Sequence, residues 1–106
     1  MMKTSVTGIA LACLGALAAA SASAQDVEAV LTKHNCLACH AVDKKLVGPA
    51  YKDVAAKYRG QAGAEKLLAE KILKGSTGVW GQMPMPPNAA TPEADVNAMV
   101  KWILSR

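Results

Sequence analysis

The sequence predicts an all-α domain of about four helices, and three observations lead to that prediction. Apolar residues recur at helical spacing in four stretches, Gly or Pro residues bound those stretches, and no segment shows the alternation of apolar and polar residues that is typical of a strand.

The length of 106 residues fits one domain. With 52% hydrophobic residues and three cysteines, the chain is too apolar for a disordered tail and too poor in Cys for a disulfide scaffold. A formal net charge of +4 is below that of a dedicated nucleic-acid binder, so we expect no nucleic-acid partner.

Residues 1–24 have the pattern of a secretory signal peptide. Lys3 gives a positive start, an apolar run of 15 residues spans positions 6–20, and Ala22-Ser23-Ala24 precedes Gln25. The run is shorter than the roughly 20 residues that a membrane span needs, which disfavours a retained anchor. We therefore predict cleavage after Ala24, export to the periplasm, no stable membrane insertion afterwards, and a mature domain at 25–106.

The mature domain has few residues from which to build a core. It contains 82 residues with 11 Lys and Arg against 8 Asp and Glu, and only four of its side chains are Tyr or Trp. A domain of this size buries a small fraction of its surface, so another component is expected to help fill the centre.

The first two helices are predicted from a cap and from apolar spacing. Asp26 can cap a first helix that runs to about Lys33. The second helix is expected from Pro49 to about Arg59, with a proline near its first turn and Gly60 at its end. Its apolar face is formed by Tyr51, Val54, Ala55 and Tyr58.

The last two helices have clear boundary signals. The third is expected from about Ala64 to Lys74, because lysines occupy its last turn and Gly75 follows it. The fourth opens at Thr91-Pro92-Glu93, which we interpret as an N-cap followed by proline at the first helical position. Its apolar face is formed by Val96, Met99, Val100 and Ile103.

The segment between the third and fourth helices, residues 75–88, is the least helical part of the mature chain. It holds three glycines, then Pro84, Pro86 and Pro87 around Met85. Prolines stiffen the backbone and a long loop in a small domain needs a reason. We therefore expect an extended segment held against the domain rather than a mobile surface loop.

The segment Cys36-Leu37-Ala38-Cys39-His40 is the Cys-x-x-Cys-His signature of covalent haem attachment. Two thiols three positions apart on a tight turn can reach two vinyl groups of one porphyrin, and the next residue then directs an imidazole towards the iron. The alternatives are weaker. A redox dithiol would need a βαβ pattern, a zinc site would have only His34 as its fourth ligand, and a disulfide leaves His40 unexplained.

The second axial ligand decides between ligand binding at an open iron and electron transfer at a closed one. Position argues against His34, which lies two residues before Cys36, and against Met99, whose helical spacing fits core packing. Met83 and Met85 both lie in the 75–88 segment, and spacing alone does not separate them.

The mature chain resembles a small bacterial class I cytochrome c of the cytochrome c-551 (cytochrome c8) type. The resemblance covers nearly all of 25–106 and rests on five segments: 36–40, 47–55, 78–81, 84–88 and 101–104. It implies an all-α class I cytochrome c fold of about four helices around one covalently attached haem c. It also implies thioether bonds at Cys36 and Cys39 and axial iron ligation by His40 and Met85.

The resemblance further assigns the surroundings of the haem. It implies that the Pro49 carbonyl contacts the far nitrogen of the His40 ring, that Asn88 lies near the Met85 sulfur, and that Trp80 lies at a propionate. Relatives often carry Arg where Lys71 stands, and an aliphatic residue where Met83 stands. Lys71 can still meet a propionate, without the two-pronged geometry of a guanidinium.

The implied function is that of a periplasmic carrier that moves single electrons and is not an enzyme. Its donor would be a membrane complex such as a cytochrome bc complex. Its acceptor would be nitrite reductase, cytochrome c peroxidase or a terminal oxidase. Two other functions remain possible interpretations of the sequence. A haem peroxidase or gas-binding cytochrome would need a labile sixth ligand. A haem domain cut from a larger reductase is disfavoured because the chain has a predicted signal peptide of its own.

Overall fold

The computed structural model of the protein describes Gly8 and residues 26–106. Apart from Gly8, the predicted signal peptide lies outside the described residues, and cleavage after Ala24 stays a prediction. Among the residues described, no helix has the length and hydrophobicity needed to cross a bilayer.

The regular secondary structure of the described residues is α-helical, as predicted. Its helices are α1 (Val27–Lys33), α2 (Tyr51–Tyr58), α3 (Ala64–Lys74) and α4 (Glu93–Leu104), with a short 3₁₀ turn at Cys36–Ala38. Within residues 26–106, β-type pairing is limited to two isolated bridges, His40 with Lys45 and Ser76 with Met85. Four helices and no sheet confirm the predicted fold class.

The predicted boundaries hold for α1 and α3. Asp26 caps α1, because its side-chain oxygen accepts a hydrogen bond from the Ala29 amide at 3.3 Å. The third helix spans the predicted residues and ends at Gly75, whose φ of 76° and ψ of 176° lie in a region that only glycine adopts readily.

The starts of α2 and α4 differ from the prediction. The second helix begins at Tyr51 and not at Pro49. Its helical hydrogen bonds begin where the Val54 amide donates to the Ala50 carbonyl, and the backbone of Ala50 itself is extended. The prediction that Thr91 caps α4 is wrong by one position. Pro92 occupies the N-cap with ψ at 143°, and its carbonyl accepts the first helical bond from Val96. Proline supplies no side-chain acceptor, so α4 begins without a side-chain cap.

The core lies where α4 packs against the other three helices. All four residues predicted on the apolar face of α4 are buried, and three of them are among the largest fully buried side chains. Burying such side chains stabilises the fold by roughly 1.5–3 kcal/mol each, as an upper estimate. The described core contains two aromatic side chains, Tyr51 and Tyr58, in line with the thin core that the composition predicts.

A histidine–carboxylate pair joins the end of α1 to the start of α4. His34 Nε2 lies 3.1 Å from Asp95 Oδ2, and both side chains are mostly buried. Because His34 is two residues before Cys36, this pair ties the Cys-x-x-Cys-His turn to the helix at the centre of the core.

We expect the Asp95→Asn variant to lose about 1.5–3 kcal/mol of stability, the range for a hydrogen bond to a charged group. The matched control is Glu93→Gln, an exposed carboxylate in the same first turn of α4. Both changes remove a favourable interaction with the helix dipole, worth about 0.3–1 kcal/mol, so their difference reports the contacts specific to Asp95. Urea denaturation of the two variants measures it, and equal losses would contradict the prediction.

Candidate cofactor site

A single large cleft brings most of the predicted site residues together. It lies between the Cys-x-x-Cys-His turn, the core helices and the 75–88 segment, and its empty space, counted with the open mouth, is about 1240 Å³. Its wall is mainly apolar. Seven of the eight predicted site residues line it: Cys36, Cys39, His40, Pro49, Lys71, Trp80 and Met85. Asn88 lies outside this wall.

The attachment motif folds as a tight turn. Asn35 enters it in the left-handed conformation with φ at 60°, and the 3₁₀ turn follows. The Cys39 and His40 amides both donate to the Cys36 carbonyl, at 3.2 and 3.0 Å. Both thiols are partly buried, and burial raises the pKa of the Cys36 thiol. The turn therefore holds both sulfur atoms and the following imidazole on the wall of one cleft.

The His40 ring is held in a defined tautomer. Its Nδ1 lies 2.7 Å from the Pro49 carbonyl oxygen, and a carbonyl can only accept, so Nδ1 carries the hydrogen. In the neutral ring this leaves the lone pair on Nε2, the nitrogen available to a metal. The Tyr51 ring stacks on the imidazole with centroids 5.1 Å apart. Hydrogen bond and stacking together fix the direction of the Nε2 lone pair.

Tyr51 keeps the surroundings of His40 neutral. Its hydroxyl is buried and has no hydrogen-bond partner within the described residues. Burial raises the pKa of this phenol well above its ordinary value, so the hydroxyl stays uncharged across the working range of a protein. The edge of the Trp102 ring packs on Tyr51, with centroids 5.3 Å apart. The wall around the imidazole is therefore uncharged and packed with aromatic rings.

Gly48 lies so close to His40 that a side chain does not fit between them. A Cβ at this position would stand 2.5 Å from His40 Cε1. We expect Gly48→Ala to displace the ring from the Pro49 carbonyl and to cost about 1–3 kcal/mol, the range for overpacking. NMR of the His40 ring protons and chemical denaturation measure the two effects.

The control for this variant is Gly60→Ala. Gly60 has a positive φ of 83° but open space around it. Its replacement is expected to cost stability, about 1–2 kcal/mol, without moving the His40 resonances. A Gly48→Ala protein with unchanged His40 resonances would show that the predicted clash is absorbed elsewhere.

The 75–88 segment is anchored at both ends. Ser76 and Met85 exchange two backbone hydrogen bonds of 3.1 and 2.8 Å. The Asn88 amide donates to the Ile72 carbonyl at 2.8 Å, and its side chain donates to the Pro86 carbonyl at 3.2 Å. These bonds hold both ends of the segment and place Met85 beside the end of α3, whereas residues 77–84 between them are exposed.

The structure separates the four candidate axial ligands by their surroundings. His34 is paired with Asp95 and lies outside the cleft wall. Three methionines line the cleft. Met99 is 1% exposed in the core, Met83 is 68% exposed, and Met85 is half-buried and anchored through Ser76. Of the three, Met85 combines access to the cleft with a backbone that is hydrogen-bonded in place.

Lys71 and Trp80 are two of several polar side chains on a mainly apolar wall. Lys71, on α3, is half-buried, and Trp80 has an indole N–H donor. The Lys57 ammonium lies 5.6 Å from the centre of the Trp80 ring and 5.8 Å from that of Tyr58. Such cation–π contacts hold Trp80 near α2. Lys71 and Trp80 thus offer a positive charge and a hydrogen-bond donor to an anionic group.

Sequence reasoning missed three positioning residues. Nothing in the sequence marked Ser76 as the partner of Met85, or Lys57 as the neighbour of Trp80. Tyr51 was assigned to an apolar helical face, and its stacking on His40 was not foreseen. Gly48 lies in the 47–55 segment of the family resemblance but was given no role; glycine is the residue that lets another group approach the backbone closely.

The donor set of the cleft fits haem. An oriented imidazole nitrogen, a thioether and two thiols in one apolar cleft suit iron in a porphyrin. Lys71 and Trp80 suit the carboxylates of its edge. Fold and site together define a small all-α domain built to enclose a covalently attached haem.

The comparisons with known proteins agree with this class. The family model for cytochrome c matches residues 24–106. The chain is 52% identical over 98 residues to cytochrome c-551 of Pseudomonas aeruginosa, which covers 92% of this chain and 93% of that protein. It is 56% identical over 73 residues to cytochrome c-552 of Nitrosomonas europaea, covering 69% and 71%. The crystal structure of wild-type N. europaea cytochrome c552 matches with a TM-score of 0.70 at 52% identity, over 74% of this chain and 96% of that one.

The chain therefore belongs to the cytochrome c family, and it is a class I c-type cytochrome that carries covalently attached haem c. This confirms the family resemblance, the fold class and the cofactor predicted from the sequence.

Proposed function

We propose that this protein is a periplasmic electron carrier with one haem c, which moves single electrons between a membrane donor complex and a terminal reductase or oxidase. The observation that carries the proposal is the convergence of Cys36, Cys39, His40 and Met85 on one apolar cleft. The cytochrome c-551 and c-552 relatives support a small haem-containing electron carrier.

Four residues would hold the haem. Cys36 and Cys39 would form the two thioether bonds, His40 Nε2 would take one axial position, and the Met85 sulfur would take the other. When bound, the haem supplies a single iron that alternates between the ferric and ferrous states. The Pro49 carbonyl fixes the His40 ring through Nδ1, which raises the basicity of the ligating nitrogen.

The surroundings of these ligands favour electron transfer over catalysis. Met85 is held by two hydrogen bonds to Ser76, so the side opposite His40 would be closed by a ligand that does not leave easily. His/Met ligation in an apolar pocket raises the reduction potential. The packed wall and the anchored segment would hold the same ligands in both oxidation states, which favours electron transfer with little rearrangement. The proposal is therefore a carrier rather than an enzyme.

Three further residues are proposed to act on the haem periphery. Lys71 and Trp80 would meet the propionates, Lys71 as a point charge and Trp80 through its indole N–H. Asn88 would act near Met85, since its side-chain amide is hydrogen-bonded to Pro86, the residue after the ligand.

The cleft mouth is the proposed docking surface for redox partners. It consists of the large apolar side chains other than proline that both line the cleft and are exposed, namely Val47, Val79, Trp80 and Met83. Lys45 also lies on the cleft wall and adds positive charge, which favours encounter with an acidic partner at low salt. The proposed donor is a cytochrome bc complex. The proposed acceptors are nitrite reductase, cytochrome c peroxidase or a terminal oxidase.

Mass and visible spectroscopy of the protein purified from a periplasmic extract test the proposal. The expected result is the mass of residues 25–106 plus one haem, a methionine-to-iron charge-transfer band in the ferric form, and a reversible one-electron wave. Ready binding of carbon monoxide by the ferrous protein would instead indicate an open iron and a peroxidase or gas-binding function. Retention of residues 1–24 would overturn the predicted cleavage.

A further inference from the structure

The three methionines of the described chain differ sharply in exposure although all of them line the same cleft. Met83 is 68% exposed, Met85 is half-buried and Met99 is 1% exposed. Thioether oxidation follows access to the oxidant, so this gradient predicts an order of reactivity. It makes Met83 the methionine that a dissolved oxidant meets first.

Met83 also lies where a change of polarity has a consequence. It is part of the cleft mouth, together with Val47, Val79 and Trp80, and it is the most exposed of the large apolar side chains described. Oxidation turns a flexible apolar thioether into a polar sulfoxide. An apolar contact formed through the mouth would then have to bury a polar group without a matched partner, which is unfavourable.

We propose that Met83 is an oxidation site for hydrogen peroxide, and that its sulfoxide weakens the contact that two copies of this protein make through the cleft mouth, while the iron site stays intact. One peroxide oxygen is transferred to sulfur: the O–O bond breaks, an S–O bond forms, and the remaining oxygen leaves as water with both hydrogens. Sulfur is oxidised by two electrons and the peroxide is reduced by two. The docking part of the proposal rests on the proposed function.

The structure explains why Met85 would be spared. Met85 is half-buried, and its two hydrogen bonds to Ser76 keep it against the end of α3. As the proposed axial ligand, it would also have its sulfur lone pair engaged. Met99 is packed between helices and is closed to solvent. Two methionines in the same chain thus serve as internal controls for the third.

The first experiment treats the holoprotein with less than one equivalent of hydrogen peroxide and maps the added oxygen by peptide mass spectrometry. The expected result is one oxygen on Met83, little on Met85 and none on Met99, with the methionine-to-iron band retained. Oxidation of Met85 before Met83, or equal oxidation of both, overturns the proposed order.

The second experiment measures electron self-exchange by NMR line broadening, in mixtures of the ferric and ferrous holoprotein. Self-exchange is a contact between two copies, which we expect to form through the cleft mouth, and it needs no external partner. Peroxide treatment is expected to slow the exchange about three- to tenfold, because an unpaired polar group enters the contact. In the Met83→Leu protein, the ratio of the rates before and after peroxide is expected to be close to one.

The Met83→Gln variant separates polarity from other oxidative damage. Glutamine approximates the sulfoxide in length and polarity, so this variant is expected to exchange electrons slowly without any peroxide. Normal exchange in Met83→Gln, or peroxide-induced slowing that persists in Met83→Leu, overturns the docking part. A missing methionine-to-iron band in the untreated protein would instead indicate failure of the proposed function, so the two failures are distinguishable.

Discussion

Replacing Met85 with alanine is expected to abolish the methionine-to-iron charge-transfer band of the ferric protein and to lower its reduction potential. The thioether is the proposed ligand that closes the iron, and His/Met ligation raises the potential. Removing a partly buried methionine is also expected to cost about 2 kcal/mol of stability, the low end of the range for Met→Ala changes. Visible spectroscopy, protein-film voltammetry and guanidinium denaturation measure the three effects. The ferrous variant is further expected to bind carbon monoxide readily.

Met83→Ala is the matched comparison, because this methionine is two residues away in the same segment and lines the same cleft. Its side chain is mostly exposed, so its removal is expected to keep the band and to change stability by about 0.5 kcal/mol or less. If Met83→Ala loses the band and Met85→Ala keeps it, the ligand assignment is reversed. The pair of variants thus decides a question that spacing in the sequence leaves open.

The Gly75→Ala variant is expected to show the largest loss of stability caused by a single added methyl group. Gly75 combines φ of 76° with ψ of 176°, a region that costs a residue with a side chain about 1–3 kcal/mol. Its Cβ would also stand 2.5 Å from the Met85 carbonyl oxygen and 3.0 Å from the Pro87 nitrogen. Both are backbone atoms that cannot rotate away, so overpacking adds about 1–3 kcal/mol.

The damage from Gly75→Ala is expected to reach the iron ligand, because the clash falls on the residue proposed to bind it. We expect a weakened methionine-to-iron band together with a loss of about 2–6 kcal/mol, the sum of strain and overpacking. Gly63→Ala is the control. Gly63 has a similar φ of 75° at the start of α3 but no atom within 4 Å of a Cβ, so a loss of about 1–2 kcal/mol with an intact band is expected. Equal spectra for the two variants would refute the link between Gly75 and Met85.

Local signals in the sequence were sufficient for most of the helical framework. The Asp26 cap, the full span of α3 and the buried face of α4 follow from capping chemistry and from apolar spacing, which act within a few residues. The starts of α2 and α4 were less well predicted. The Pro49 carbonyl bonds with the His40 ring instead of beginning the helix, and a proline rather than Thr91 occupies the α4 cap.

The chemistry of the site was predictable from the sequence to a lesser degree than the fold. The Cys-x-x-Cys-His motif alone indicated covalent haem, because two thiols for the porphyrin vinyl groups and one imidazole for the iron lie within five consecutive residues. The choice of Met85 came from the family resemblance, since Met83 is equally placed by spacing. The pairing of Met85 with Ser76 and the approach of Gly48 to His40 join residues nine and eight positions apart through loops. Such contacts leave no periodic signal.

The sequence by itself determined an α-helical domain, a haem-binding turn and a core with few aromatic residues. It also predicts an N-terminal export signal. These properties depend on neighbouring residues, on composition and on one short motif. Only the tertiary structure decided how the 75–88 segment is anchored, which nitrogen of His40 bonds the Pro49 carbonyl, and which methionine is open to solvent. Each of these depends on how loop residues several positions apart meet in space, and such contacts leave no periodic or local signal in the sequence.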